Sequence, residues 1–209
     1  MTRRKKKVLC DISTYAILIF ASFVVLLPMA WMVSTSLKEY SETVAVPPSF
    51  IPKKLTTESF SVIWTNYPFV SYFKNSFIVV LISTLISMIF SCLAGYGVSR
   101  FNFKGKGSFL TFLLITQMFP SIMMLIPFYK MMVSYGIVNT HLALILPYIS
   151  FTVPFCTWMM MGYFNTISKE LEESATIDGC NRVYAFVRII LPISLPGLIA
   201  TAVYSFISG

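Results

Sequence analysis

The chain has 209 residues, 56% of them hydrophobic and only 11% charged, against roughly 45–50% and about 25% in soluble globular domains. That balance excludes an ordinary water-soluble enzyme. The formal charge of +8 raises the question of a nucleic-acid partner, and the placement of the positive residues answers it.

Charge-free intervals run over 12–37, 75–99, 107–129, 131–168 and 189–209. About 20 apolar residues cross the hydrocarbon layer as a helix, so each interval holds one span and the fourth holds a span plus a connection. The predicted fold class is all-α and polytopic, with spans at 12–37 and near 75–99, 108–129, 141–163 and 189–209. The stretch 1–11 carries Arg3, Arg4, Lys5, Lys6 and Lys7. Placing it in the cytoplasm makes the spans alternate so that Arg100, Lys104, Lys106, Lys169, Arg182 and Arg188 are also inside. Lys38, Lys53, Lys54, Lys74 and Lys130 then fall outside. Eleven against five is the asymmetry of the positive-inside rule, and no nucleic-acid partner is needed. A cleaved signal peptide has an apolar region of about 7–15 residues. The longer run from Ile12 to Leu37 reads as a retained anchor.

The external segment 38–74 contains Pro47, Pro48, Pro52 and Pro68 with Trp64, Tyr67 and Tyr72. Proline prevents a long helix and the rings suit the water–lipid boundary, which predicts short helical pieces on the membrane surface. The second span carries Gly95 and Gly97, small residues that permit close helix packing. The third holds Pro120 and Pro127 and the fourth Pro147 and Pro154, each pair seven residues apart. Seven residues are close to two turns, so each pair is expected on nearly one face of a bent or locally unwound helix. Opened backbone at membrane depth needs protein or a water-filled cavity around it, which points to a pathway. Gln117, three residues before Pro120, reads first as an interhelical hydrogen bond and second as a solute contact. With Pro120 and Pro154 it marks the candidate translocation path. His141, at the external start of the fourth span, reads as an interfacial residue rather than a ligand. Cys10, Cys92, Cys156 and Cys180 lack metal-pair or disulfide-framework spacing, and neither metal nor cofactor is implied.

The most informative stretch is the cytoplasmic elbow at 167–190. Ser168 is a suitable N-cap, and Glu170, Glu172 and Glu173 sit where the helix dipole favours acids. Gly179 supplies a left-handed stop, and a second helix is expected from near Asn181. Pro192 and Pro196 should open a new segment in the membrane. Leu171, Ser174, Ala175 and Asp178 recur at spacings of three and four, predicting one face of small residues flanked by an apolar side chain and an acid.

Here the sequence resembles the permease subunits of ATP-binding-cassette importers, whose cytoplasmic signature is Glu-Ala-Ala, three residues, Gly, nine residues, then Ile-x-Leu-Pro. This chain has Glu173-Ser174-Ala175, Gly179 and Ile189-Ile190-Leu191-Pro192 at that spacing. Ser174 departs from the usual alanine, and Ser168 from a common proline. Elsewhere it resembles the carbohydrate-uptake branch, of the second maltose permease type. The matching residues are Pro28, Trp31, Ser34 to Lys38, Asn75-Ser76, Leu93 to Tyr96, Arg100-Phe101, Met118 to Pro120, Ile126-Pro127, Asn139-Thr140 and Leu146 to Tyr148.

The resemblance implies a type I importer permease fold with five helices present and the family's final helix beyond Gly209 missing. It implies residence in a bacterial or archaeal plasma membrane and a second homologous permease as partner. It also implies cytoplasmic ATP-binding subunits and an extracytoplasmic solute-binding protein. Glu173, Ser174, Ala175, Asp178, Gly179 and Leu171 would couple to the ATPases. The chain has no Gly-x-x-x-x-Gly-Lys-Ser/Thr loop, so energy is expected from a partner. The implied function is alternating-access transport of a sugar or sugar derivative. The alternatives are another solute class and a noncatalytic anchor or sensor that docks an ATPase. A membrane-embedded enzyme is disfavoured because the charge-free intervals hold no acid and one histidine.

Overall fold

The computed structural model describes the backbone of residues 3–209 and the side chains from residue 11 onward. Met1, Thr2 and the side chains of the basic cluster and Cys10 lie outside the described residues. Among the described residues all regular structure is helical. Two compact units divide the chain, Met1–Tyr72 and Phe73–Gly209.

The first unit opens with α1, Arg3–Ser36. Its apolar part, Asp11–Ser36, is 26 residues, or about 39 Å at helical rise, enough to cross a bilayer. From Asp11 to Val33 every side chain is exposed, as befits a helix apolar all round whose solvent is lipid. Two short helices follow, α2 (Tyr40–Thr43) and α3 (Glu58–Asn66). The segment between them is tied down. Lys38 is only 2% exposed; its Nζ donates to the Ser49 carbonyl and lies 4.7 Å from the Trp31 ring centre. Ser34 donates to the Phe50 carbonyl, and Phe50 packs on Trp31 at 5.4 Å. The Glu42 carboxylate accepts the Ser49 hydroxyl at 2.7 Å and the Lys53 N–H at 3.0 and 3.1 Å. The Ser49 hydrogen bond first, then that of Lys53, then the charges of Lys38 and Lys53 hold this carboxyl below its ordinary range.

The second unit takes up α4, Phe69–Arg100, and continues through α5 (Lys106–Gln117), α6 (Ser121–Ser134), α7 (Leu142–Thr166) and α8 (Glu170–Ile177). Then come α9 (Arg182–Ala185), a π-helical turn (Phe186–Ile190), α10 (Leu191–Ile193) and α11 (Leu195–Ser208). α5, α6 and α11 all pack on α7. Close approach is secured by glycine. A Cβ on Gly95 would lie 2.8 Å from the Met160 Cβ, and one on Gly197 would lie 2.4 Å from the Tyr163 ring. α4 and α7 are also joined by hydroxyls: Ser87 Oγ is 2.7 Å from Thr152 Oγ1, and Ser91 donates to the Val153 carbonyl at 3.2 Å. Such bonds serve where water is excluded.

Three helices are long and apolar enough to cross a bilayer alone; two further spans exist only if each bent pair counts as one. The third span, expected as one bent or locally unwound helix, is instead two helices. α5 and α6 meet at 95° across residues 118–120, so Pro120 and Pro127 do not share one helix. Pro120 lacks an N–H and disfavours helical backbone at Phe119, and here both effects win. Pro147 and Pro154, by contrast, lie inside the continuous α7. At the fifth span Pro192 does not open a new segment, because the helical path from Arg182 continues through it to Ile193. The 75° bend comes between Ile193 and Leu195. α4 begins before Lys74, since lysine is a good helix former and a charge-free interval does not mark a helix end.

Candidate functional site

The elbow is built by local capping. Ser168 Oγ accepts the Glu170 N–H at 3.2 Å, ahead of three acids in the first turn of α8. At its other end Gly179 has φ +86°. The Cys180 N–H reaches the Ala175 carbonyl at 2.9 Å and the Gly179 N–H reaches Thr176 at 3.1 Å, which together form a Schellman closure. Asn181 Oδ1 then accepts the Tyr184 N–H at 2.8 Å and caps α9. The stop and the second helix start lie where the sequence predicts them, and α8 begins one residue later than a Ser168 N-cap implies, with Lys169 at its N-cap.

The elbow is seated on the spans by an apolar core and a polar cluster. Cys92 and Tyr96 of α4, Met160 and Phe164 of α7, and Ile167, Phe186 and Ile190 form one buried cluster. The Tyr96 ring lies 4.3 Å from Phe186 and 5.7 Å from Phe164. Beside it, Arg100 Nε donates to Glu172 Oε1 at 2.5 Å, with side chains 5% and 20% exposed. Arg100 Nη2 donates to the Ile167 carbonyl at 3.1 Å, and Tyr96 donates to Glu172 Oε2 at 3.0 Å. Ser99 donates to Asn165 Oδ1 at 2.7 Å.

This seating decides which face of α8 is free. Ala175 is 4% exposed and turns into the chain's own core, with Glu172 half-buried beside it. Leu171, Glu173, Ser174, Asp178 and Gly179 are exposed. Ile177, 85% exposed, shares the outward face with Glu173 and Ser174. The face expected from Leu171, Ser174, Ala175 and Asp178 is thus about a quarter turn from the one presented outward, at 100° per residue. Ala175 fits closely within the subunit rather than outside it. Sequence reasoning missed Glu172, Ile177, Arg100 and Tyr96. The one available signal is an isoleucine four residues after Glu173, a second large apolar side chain in α8 besides Leu171.

Away from the elbow, a cavity of about 1050 Å³ is walled by α4, α5, α6, α7 and the end of α11. Gln117, Asn75, Asn139 and Thr116 bring amides and a hydroxyl to it; Tyr129, Tyr148, Tyr204 and Phe151 bring rings. Gln117 Nε2 donates to the Phe151 carbonyl at 3.1 Å, so it makes the interhelical bond and lines the cavity at once. His141 lies at the rim, 3.3 Å from Asn75 Oδ1. Pro120 sits at the break before α6, and Pro154 is buried inside α7; neither is part of the cavity wall. No group of acids, histidines and cysteines among the described residues has the arrangement of a metal site.

Comparison with known proteins fits this architecture. The chain is 34% identical over 203 residues to the inner membrane ABC transporter permease protein YcjP of Escherichia coli (strain K12), covering 96% of this chain and 72% of that protein. It is 35% identical over 193 residues to the trehalose/maltose transport system permease protein MalG of Thermococcus litoralis, covering 91% and 69%. The chain spans about two thirds of the length of the curated relatives it matches. In fold it is similar to a chain in the crystal structure of a bacterial ABC transporter involved in the import of the acidic polysaccharide alginate. That match has a TM-score of 0.80 at 20% identity and covers 100% of this chain and 72% of the other. The family described as "Binding-protein-dependent transport system inner membrane component" matches residues 87–209. That match takes in α7, the whole elbow and α11, and the chain belongs to this family of ABC-importer permeases.

Proposed function

We propose that the chain is the membrane-spanning subunit of an ATP-driven, binding-protein-dependent importer of a sugar or sugar derivative. The observation that carries this reading is the elbow: a capped helix–turn–helix, closed by a left-handed glycine and fastened to the ends of two long apolar helices. Such a knob is suited to receive a mechanical stroke. Cytoplasmic ATPase subunits would dock on Glu173, Ser174 and Ile177, with Leu171 and Asp178 at the margin. Gly179 fixes the turn, and Ala175 seats α8 against its own subunit. The basic N-terminus and the elbow lie in the cytoplasm, and segment 38–74 lies outside.

Alternating access follows from the breaks. Closure of the ATPases carries the elbow inward as a body, and the bent pairs and the proline-bearing α7 tilt around the cavity. A second, homologous permease completes the pathway, and an extracytoplasmic protein delivers the solute. The cavity chemistry supports a polyhydroxylated solute: amides and hydroxyls hydrogen-bond it and aromatic faces cover its C–H surfaces. The names of relatives such as the trehalose/maltose permease point the same way.

The test is co-purification with an ABC ATPase subunit, followed by ATPase assay in proteoliposomes with maltose or trehalose as probe solutes. Solute-stimulated ATP hydrolysis is the expected result. Stable association without any ATP-driven uptake, across sugars, amino acids and anions, would favour an anchor or sensor instead.

A further inference from the structure

The elbow is covalently joined to α7 on one side and to the α9–α11 path on the other. α4 has no such connection to it in the chain. Yet Arg100, the last residue of α4, reaches both the α7–α8 link at the Ile167 carbonyl and α8 itself at Glu172. Arg100–Glu172 is the one ion pair among the described residues. Tyr96, one turn earlier on α4, donates to the second oxygen of the same carboxylate. The carboxylate is thus held through both oxygens by one helix, in a site largely shielded from water, where charge-assisted bonds are strong and directional. α8 has only eight residues, too few to be stable alone, so its orientation depends on such contacts. At its other end α4 places Asn75, Ser76 and Val79 in the cavity wall.

We propose that Glu172 is a positioning residue for transport: through Arg100 and Tyr96 it makes α4 follow the elbow, so that a stroke on α8 reaches the cavity wall along α4. This rests on the transporter reading. Glu172 touches neither solute nor ATPase in this account. Its partners are within its own subunit, unlike those of Glu173 beside it.

The test places spin labels in the permease assembled with its ATPase subunits and compares distances with and without ATP plus vanadate. One pair, at Ser76 of α4 and Leu125 of α6, reports the cavity wall; a second, at the exposed Val183 and Thr166, clear of the proposed docking residues, reports the elbow. In the wild-type background both distances shift. In Glu172→Gln the elbow shift persists while the cavity shift falls to about half or less, as expected when a charge-assisted bond in the coupling route is lost. The exchanged pair Arg100→Glu with Glu172→Arg recovers the cavity shift. An unchanged cavity shift in Glu172→Gln overturns the proposal alone, as does loss of both shifts together, which would make Glu172 part of the docking face. No nucleotide-dependent shift in the wild type overturns the transporter reading, and the role of Glu172 with it.

Discussion

The elbow end of the second unit and its cavity end are built on opposite principles. Around Tyr96, Phe164 and Phe186, rings and aliphatic side chains interlock, and the polar groups at the edge of this core are matched to one another. Around Gln117 and Asn75, the path is broken between α5 and α6 and the wall borders about 1050 Å³ of space. A part that transmits force has to resist deformation, whereas a part that admits a solute has to change shape. Under the proposed transport function, the stroke falls to one end and the passage to the other. α4 and α7 are the continuous helices that belong to both.

The contrast can be broken most severely at the stiff end. Gly95→Leu forces a side chain into the Met160 and Met161 backbone of α7. Overpacking of this kind costs about 3 kcal/mol, expected as a large fall in thermal stability of the detergent-solubilised chain. Gly97, with open space at its Cβ, accepts alanine at little cost and serves as the control. Next comes Gly179→Val. At φ +86° a β-branched residue is strained by about 1–2 kcal/mol, which unseats the Schellman closure. Membrane insertion should persist while ATP-driven uptake is lost; normal uptake with normal solute-stimulated hydrolysis would contradict a coupling role for the turn.

At the open end the effect should be smaller and of another kind. Gln117→Leu removes the donor to Phe151, a loss of about 1 kcal/mol. The expected signature is a several-fold rise in apparent KM for the transported solute, with assembly intact. An unchanged KM would remove Gln117 from the pathway. The smallest effect lies in the first unit. Because the carboxyl of Glu42 is held below its ordinary range in the folded loop, its contribution is complete above the unfolded value and fades as pH falls through the lower, folded one. Proteolytic nicking of residues 39–56 should increase below the ordinary carboxylate range in the wild type. In Glu42→Gln this pH dependence should disappear.

The sequence makes legible whatever is decided locally. Ser168, Gly179 and Asn181 act on backbone groups within a few residues of themselves, and each does in the structure what its side chain, or the lack of one, implies. Charge-free intervals likewise mark where apolar helices occur. Contacts made over long sequence separations are not legible in this way. Which face of α8 turns inward is set by Arg100, 72 positions away, and a helical repeat of three and four cannot say which of two stripes is buried. In nearly all-apolar helices the pattern carries little facing information. The complete break before α6 and the π turn at Phe186–Ile190 are choices among several backbone responses to proline and packing. Burial of Lys38 depends on Trp31 and a carbonyl eleven residues on. No composition rule predicts a lysine in that position.

The central claim is that the outward face of α8 meets an ATPase on the cytoplasmic side. Ile177→Cys, in a chain whose four native cysteines are replaced, tests it with a membrane-impermeant maleimide. Labelling is expected in inside-out vesicles only, blocked when ATPase subunits are bound. Labelling of intact cells from outside would contradict it.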